Sequence, residues 1–508
     1  MAEKNYDSEF CGSLPLHQIN LIQDYGYLLV LDKKTLHIMQ VSENTEEIFG
    51  TKPADIINQP LDKYVAAEQI RELKSKFDKG ISDKIPVTLN FVNGDDKKQF
   101  LALVHSKNEY LILELEKLDQ DFKRFFTDVF QEIKFAMASI EAATSVEETC
   151  QAAIRELKKL SGFDGIMMYR FDENWNGTVI VEEKEPGLEK YIGLTFPASD
   201  IPKQARAMYQ KNPYRLIPNR DYTPVRLYPV INPLTHAFID LSDCNLRSVA
   251  SVHIEYLKNM NVVASMSTRV IKDGQLWGLI ACHHLTPRYL NYEVCSIFEL
   301  LSNVISTKIA SIINKDSFDQ TTGLQQKRAE LVEQVYTENN LAKGLLKDKS
   351  INLLSTFNAS GAAVIQNGNT EVLGEVPQTE QIENLIFWLQ GKNINKTYTV
   401  NNLASVYDDA AEFANVGSGL LAIPVDTNKG DYIICFRPEL ITTINWGGNP
   451  DEAINFEPDG KNYHPRNSFQ QWQQTVRQTS VPWQRYEIET AEELRSFAFE
   501  FKTKQSFN

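Results

Sequence analysis

The sequence predicts an α+β protein of three domains, each a central antiparallel sheet with flanking helices, joined by a long helical spine. Three observations carry this. The chain has 508 residues, too many for one core when domains run to about 100–200 residues. Short apolar or alternating runs of strand length recur in three separate blocks. No proline occurs between Pro287 and Pro377, and a helical stripe runs through that span.

The first block, roughly Leu14 to Leu118, mixes strands with small helices. Tyr27–Leu31 is apolar, Asp32-Lys33-Lys34 is turn-like, and Leu36–Val41 alternates. A helical piece follows near Thr45–Phe49. Val87–Val92 and Phe100–His105 flank Asn93-Gly94-Asp95-Asp96, a hairpin signal, and Tyr110–Leu115 is a further strand.

A helical stretch from Phe122 to about Lys159 leads into the second block. Ile166–Phe171 and Thr178–Glu182 read as strands. Ala264–Ile271, Asp273-Gly274 and Leu276–His284 read as strand, turn and strand. From Tyr289 to about Leu346 the spacing predicts helix. Val294, Ile297, Leu301, Val304, Ile305, Ile309 and Ile312 form one apolar stripe, extended by Leu324, Leu331 and Val335 past a weak point at Gly323. A helix this long reads as a spine between domains and between subunits. In the third block, about Ile351 to Asn508, the strands are Gly361–Ile365, Gly419–Val425 and Asp431–Phe436. A Gly-, Pro-, Asn- and Trp-rich excursion then runs from Arg437 to Trp483. Long insertions of this kind are functional or disordered. The last helix, Ile488–Lys504, reads as cut while still running.

Composition excludes some functions. The net charge of −15 opposes nucleic acid, which needs clustered Lys and Arg, and it opposes an anionic membrane surface. No apolar run is expected to reach transmembrane length, and the first residues are not a signal peptide. Cys11, Cys150, Cys244, Cys282, Cys295 and Cys435 are scattered, as in reduced cytosolic proteins. Gly417-Ser418-Gly419 fits a nucleotide fingerprint by letter, but it precedes a strand instead of opening a helix, so the phosphate logic fails. No Walker, kinase ATP-site, G-x-S-x-G or H-E-x-x-H pattern is present.

The most informative stretch is Phe196-Pro197-Ala198-Ser199-Asp200-Ile201-Pro202. Its two prolines lack N–H groups and fix φ, and Ser199 and Asp200 favour a turn. The result is a stiff loop with free carbonyls and one carboxylate, suited to a ligand with N–H donors and positive charge. Arg215 and Arg247 can fork onto carboxylates; two surface arginines are the plain alternative. Ser265 and Ser267 share a strand face. On that strand pattern His283 points away from Cys282 and His284, which leaves a zinc site without convincing ligands. Met167, Tyr169, Tyr191, Phe196 and Tyr256 read most simply as core.

The Phe196–Pro202 loop resembles the chromophore-pocket signature of bacteriophytochromes, the biliverdin-binding red-light sensors. Trp277–His284, Trp446-Gly447-Gly448 and Pro465-Arg466-Asn467-Ser468-Phe469 extend the resemblance over nearly the whole chain. It implies an attachment segment at 1–13, a PAS domain at 14–120, a GAF domain at 121–312 and a PHY domain at 313–508 with its tongue at about 437–483. It also implies an N-terminal segment knotted through the GAF domain, an unusual arrangement.

The resemblance implies biliverdin IXα in thioether linkage to Cys11, because Cys11–Gly26 resembles the family's attachment segment and Val252 stands where plant and cyanobacterial relatives carry a thiol. Cys244 is the other nearby thiol. Arg215, Arg247, Tyr209, Ser265 and Ser267 would hold the propionates. Asp200 and Ile201 would lie at the pyrroles, His253 over the inner rings and His283 at the D-ring carbonyl. Met167, Tyr169, Tyr191, Phe196 and Tyr256 would enclose the rotating D ring.

Red light would drive a 15Z/15E isomerisation between red- and far-red-absorbing states and refold the tongue to signal to an output domain. Trp446, Gly447, Gly448, Pro465, Arg466 and Ser468 would form that switch, with Arg466 on Asp200 in the dark and Ser468 on Asp200 after light. Ile441–Trp446 favours strand, whereas Phe469, Trp472 and Val476 share a helical face. The implied partners are a second copy, through GAF and PHY helices, and an output transmitter or response regulator. Cytoplasmic localisation follows. The alternative is the sensory half of a light-regulated histidine kinase whose catalytic part is absent here; a further alternative is a plain GAF/PAS module for a cyclic nucleotide or haem. Two departures stand out: Gln23-Asp24-Tyr25-Gly26 replaces the family's Gln-Pro-His-Gly, and Ala250 stands in a neighbourhood usually rich in serine or threonine.

Overall fold

The computed structural model describes residues 16–77, 84–93, 96–118, 126–348, 351–452, 454–456 and 463–507. Cys11 lies outside them. The chain forms two compact units. One holds the chain up to Ala310 together with Asn445–Trp472; the other holds Ser311–Ile444 and the chain from Gln473 onward.

The first unit contains two sheets. One has seven strands in the order Leu21–Ile22, Val225–Tyr228, Ile38–Ser42, Tyr27–Asp32, Tyr110–Lys117, Asp96–Ser106, Ile85–Asn93. Leu29, Leu31, Val41, Leu113 and Leu115 from its strands pack with Phe91 and Phe100 in one core. Tyr27–Asp32 is buried on both faces, because Leu28, Val30 and Ile112 meet Leu227, Leu241 and Leu246 on the other side. That second layer comes from the segment that follows residue 225. Residues near the described N-terminal end run alongside it: Leu241 N–H donates to His17 O, Ser248 N–H to Leu21 O, and Arg247 Nη1 to Leu16 O.

The other sheet is antiparallel through Tyr214–Ile217, Ala264–Lys272, Gln275–His284, Gly165–Phe171, Gly177–Lys184 and Thr195–Phe196. At its edge Trp446 bridges Thr195 in parallel. The helical stretch expected as one piece is two helices, Phe126–Ala142 and Val146–Ser161. Ser145 caps the second by accepting from Glu148 N–H, while Glu148 reaches back to Thr144 N–H. Reciprocal caps of this kind start a helix and so end its predecessor.

The second unit is a five-stranded antiparallel sheet ordered Asn369–Gly374, Gly361–Gln366, Asp431–Arg437, Gly419–Asp426, Tyr398–Val400. Leu421, Ile423, Ile433 and Cys435 face the helices that carry Leu331, Val335, Leu494 and Phe501. Leu420, Ala422, Ile434 and Phe436 face Ile382, Leu385 and Leu389. Both faces are covered, so these strands read as continuous apolar runs. Gly419 is there for packing: a Cβ would lie 2.1 Å from Ser480 Oγ.

The spine helix spans Tyr292–Glu338. It passes the weak point at Gly323 unbroken, and stops short of the expected Leu346 where Asn339 takes φ 45° and Asn340 caps the short helix Leu341–Leu345. Glycine costs a helix about 1 kcal/mol and is tolerated, whereas a left-handed Asn terminates one. Also against expectation, one 18-residue window of this helix is apolar enough to cross a membrane by length and composition alone. Its Val294, Ile297, Leu301, Ile305 and Ile309 are buried in protein. Among the described residues the Arg437–Trp483 excursion is strand at Thr442–Gly447, Ile454–Phe456, Tyr463–Pro465 and Gln471–Val476, with a 3-10 turn at Pro450–Glu452. The helical spacing of Phe469, Trp472 and Val476 is therefore not realised.

Candidate functional site

The site grows from the proline-bounded loop. Pro197 caps a 3-10 turn, Ala198–Asp200, which Asp200 N–H closes onto Pro197 O; Pro202 then caps the helix Lys203–Lys211. Arg206, in that helix, donates to Ile201 O at 2.7 Å and stacks on Trp175, which stiffens the loop from behind. Asp200 is thereby presented to two donors. Arg466 Nη2 lies 2.7 Å from its Oδ1, and Tyr256 O–H donates to Oδ2 at 3.0 Å. Burial pushes the Asp200 carboxyl up, and Arg466 and Tyr256 pull it back.

Arg466 is held from its other side by Gly447 O at 2.5 Å, so the Trp-Gly-Gly and Pro-Arg-Asn-Ser-Phe motifs meet at Asp200. The two glycines are needed there. A Cβ on Gly447 would lie 2.6 Å from the Phe196 ring, and one on Gly448, at φ 96°, would lie 2.3 Å from Ser468 O. Ser468 is not hydrogen-bonded to Asp200; its hydroxyl accepts from Gln470 N–H. Pro465 ends a short strand whose His464 pairs with Glu255. Phe469, which the sequence offered as part of a motif and of a helical face, packs edge-on against Tyr256 at 5.0 Å and near Phe196. Met167, Tyr169, Tyr191, Phe196 and Phe469 form one buried cluster, with Ile201, Tyr209 and Tyr256 against it.

A basic group adjoins this apolar cluster. Arg215, on a strand opposite Ser267, donates to Asn245 O at 2.5 Å and to Arg247 O. Arg247 donates to Leu16 O, and its Nε has no hydrogen-bond partner although buried. Among the described residues neither guanidinium meets a carboxylate. Burial and the neighbouring Arg215 bring Arg247 down to about 9. Tyr209 and Ser267 share a 2.5 Å hydroxyl contact, and Ser265 lies opposite His283 in the next strand.

His253 exposes much of its surface yet sits deep among protein atoms. Desolvation, then Arg215 and Arg247, hold it down to about 4; desolvation, then His253, hold His283 to about 4. Both imidazoles are neutral at ordinary pH. His284 turns away and pairs with Asp164 at 2.8 Å, and Cys282 is fully buried.

Residues the sequence did not single out support the site. Gln23 Nε2 ties Leu216 O to Asn245 O, and Tyr222 O–H joins Ser248 while accepting from Val249 N–H. These are long-range contacts with no local signature. His105, Glu114 and Cys244 also bring ligand-type atoms within 4.8 Å of one another. Glu114 is already satisfied there by His105 and Leu246 N–H. Burial, then Glu114, pushes the Cys244 thiol well up, so it is a poor nucleophile.

Comparison with known proteins gives three family matches: "PAS fold" over residues 11–118, "GAF domain" over 145–309 and "Phytochrome region" over 324–506. Cyanobacterial phytochrome B of Nostoc sp. is 40% identical over 494 residues, covering 96% of this chain and 65% of that protein; the chain thus spans somewhat under two thirds of that relative's length. The crystal structure of a bacteriophytochrome from the photosynthetic bacterium R. palustris superposes with TM-score 0.86 at 32% identity, covering 97% of this chain and 99% of that one. The Stigmatella aurantiaca phytochrome photosensory core module gives TM-score 0.85 at 34% identity, with 98% and 99% covered.

Proposed function

The chain belongs to the phytochrome family, with the PAS–GAF–PHY architecture of bacteriophytochrome photosensory cores, and we propose that it is a red/far-red photoreceptor carrying biliverdin IXα on Cys11. One observation carries this: Arg247, buried, and Arg215, half-buried, have no carboxylate partner among the described residues and stand beside two neutral histidines and an apolar aromatic cluster. Unpaired buried cations are costly. A ligand with two carboxylates and an extended conjugated ring system offsets that cost, and the orphaned Arg247 Nε is a donor waiting for it.

When bound, the bilin supplies red-light absorption and a 15Z/15E isomerisation. The protein does the rest. Arg215 and Arg247 hold the propionates, with Ser265, Ser267 and Tyr209 as further donors. The Asp200 main-chain carbonyl accepts from pyrrole N–H groups, and Ile201 packs beside it. His253, kept neutral, orders polar contacts over the inner rings; His283 donates to the D-ring carbonyl. Met167, Tyr169, Tyr191, Phe196 and Tyr256 give that ring an apolar wall. The Asp200 side chain reports the pigment's state to Arg466, and Ser468 replaces Arg466 once the tongue, residues 437–483, refolds from strand to helix.

The domain limits that fit this scheme are 1–13 for attachment, 14–120 PAS, 121–312 GAF and 313–508 PHY. A homodimer through GAF and PHY helices, a downstream output domain or response regulator, and a cytoplasmic location complete the proposal. The second reading is the sensory half of a histidine kinase. The Nostoc relative is longer than the stretch matched here, which leaves room in that protein for further domains.

Adding biliverdin to the purified apoprotein tests the assignment. A green, red-absorbing product that fluoresces with zinc on a denaturing gel supports covalent bilin. Uptake of haem or a cyclic nucleotide instead, with no biliverdin adduct, overturns it.

A further inference from the structure

The foot of the excursion is closed by one side chain. Arg437 ends the strand Asp431–Arg437 and is 3% exposed. All five of its N–H donors are used. Nε donates to Asn358 O; Nη1 donates to Val481 O and Pro482 O; Nη2 donates to Phe357 O and, at 2.6 Å, to Glu487 Oε1. Its Cζ lies 3.7 Å from the centroid of the Trp483 ring. The outgoing and returning chains are therefore clasped at 437 and 481–483. Leu440 N–H on Thr479 O holds them side by side just beyond, and Ser480 N–H on Asn401 O ties the returning chain to the residue after the strand Tyr398–Val400. Glu487 is the only carboxylate on Arg437 among the described residues, and it lies in the first turn of the helix Arg485–Phe507, where its other oxygen accepts from Gln484 N–H.

We propose that Arg437 is a positioning residue that couples the excursion to the helix Arg485–Phe507 through Glu487. The proposal rests on the reading that the excursion refolds. A strand rises about 3.3 Å per residue and a helix 1.5 Å, so refolding the six-residue strand Gln471–Val476 would take up roughly 11 Å of chain. Without the clasp the slack or pull would be absorbed in residues 477–484. With it, the displacement arrives at the guanidinium, which is stacked, fully bonded and unable to yield one contact without straining the rest. Its ionic partner is the start of the helix, so the helix N-terminus moves with it.

The test uses the full bilin-loaded chain in wild type, Glu487→Gln and Arg437→Lys. Glu487→Gln keeps shape and hydrogen bonding; Arg437→Lys keeps charge and loses the fork. Two light-minus-dark differences are read: the infrared amide I change of the tongue, and deuterium uptake in 485–507. A purely structural role would alter absolute uptake in both states and leave the difference intact. The proposal expects the tongue change in all three proteins and a helix difference lowered about threefold or more in both variants, the scale of one coupling residue. A helix difference of wild-type size in both variants, with the tongue still switching, overturns the coupling alone. A wild-type tongue that keeps its strand signal after photoconversion overturns the refolding reading, and the coupling with it.

Discussion

Arg466→Gln is the perturbation whose outcome the structure fixes most tightly. Arg466 and Asp200 are 2% and 5% exposed, and their contact is 2.7 Å. Removing one partner of a buried pair costs about 3–5 kcal/mol. The lost bond to Gly447 O adds to this, but Asp200 keeps its Tyr256 hydroxyl and can take up a proton, so the lower half of the range is expected. At about 1.4 kcal/mol per tenfold, the docked arrangement of residues 445–472 should open about 10²–10³ times more often. Deuterium exchange at Gly448, whose N–H donates to Gln470 O, reads this once corrected for intrinsic rate.

The pH dependence has a sign. Burial raises the Asp200 carboxyl, and without Arg466 little opposes that. A raised acid binds more protons folded than unfolded, so stability falls as pH climbs from about 3.9 to the raised folded value. The excess exchange of the variant should therefore shrink toward acid pH, and Asp200→Asn with Arg466→Gln should recover part of the loss. Protection at Gly448 within about threefold of wild type at neutral pH, on the scale of a mutation that removes nothing, would refute the reasoning.

Three further outcomes follow from single residues. Cys11→Ser should assemble with bilin that denaturants extract; pigment retained covalently would move the attachment to another thiol. Glu116 is buried beside Glu114, with Tyr289 O–H donating to it, and burial raises it to about 7. Wild-type stability should thus fall by up to about 3 kcal/mol between pH 4.5 and 7, and Glu116→Gln should remove that slope in urea melts; identical slopes would contradict the shift. Gly278→Ala places a Cβ 2.3 Å from Tyr169 O, a backbone atom of the neighbouring strand. It should lower stability by about 1–3 kcal/mol, and a midpoint unchanged within about 0.5 kcal/mol would show that the strands can part freely.

Strand positions and the Asp200 loop were legible in the sequence because their signals are local. Alternation marked Val87–Val92 and Phe100–His105, and two prolines marked the loop. Helix ends were harder. Gly323 was only a weak point and costs a helix little, whereas Asn339, inside the span whose spacing reads as helix, stops it by turning left-handed. Ser145 splits a stretch whose periodicity runs straight through. The tongue was ambiguous because its strands find partners far away: Trp446 pairs with Thr195, and no window of sequence contains both. The same holds for Gln23, which bridges Leu216 and Asn245, and for Phe469 on Tyr256. Arg437 gave no signal, since its partners at 357, 358, 481, 482 and 487 converge only in the fold.

The central claim is reversible photochemistry at this site, and one absorption spectrum tests it most directly. Biliverdin-loaded protein should absorb red light, shift toward the far-red on red illumination, and return under far-red light or in the dark. Arg466→Gln should retain the bilin but complete the shift poorly. A bound pigment whose spectrum is unchanged by saturating red light in the wild-type protein would contradict the account.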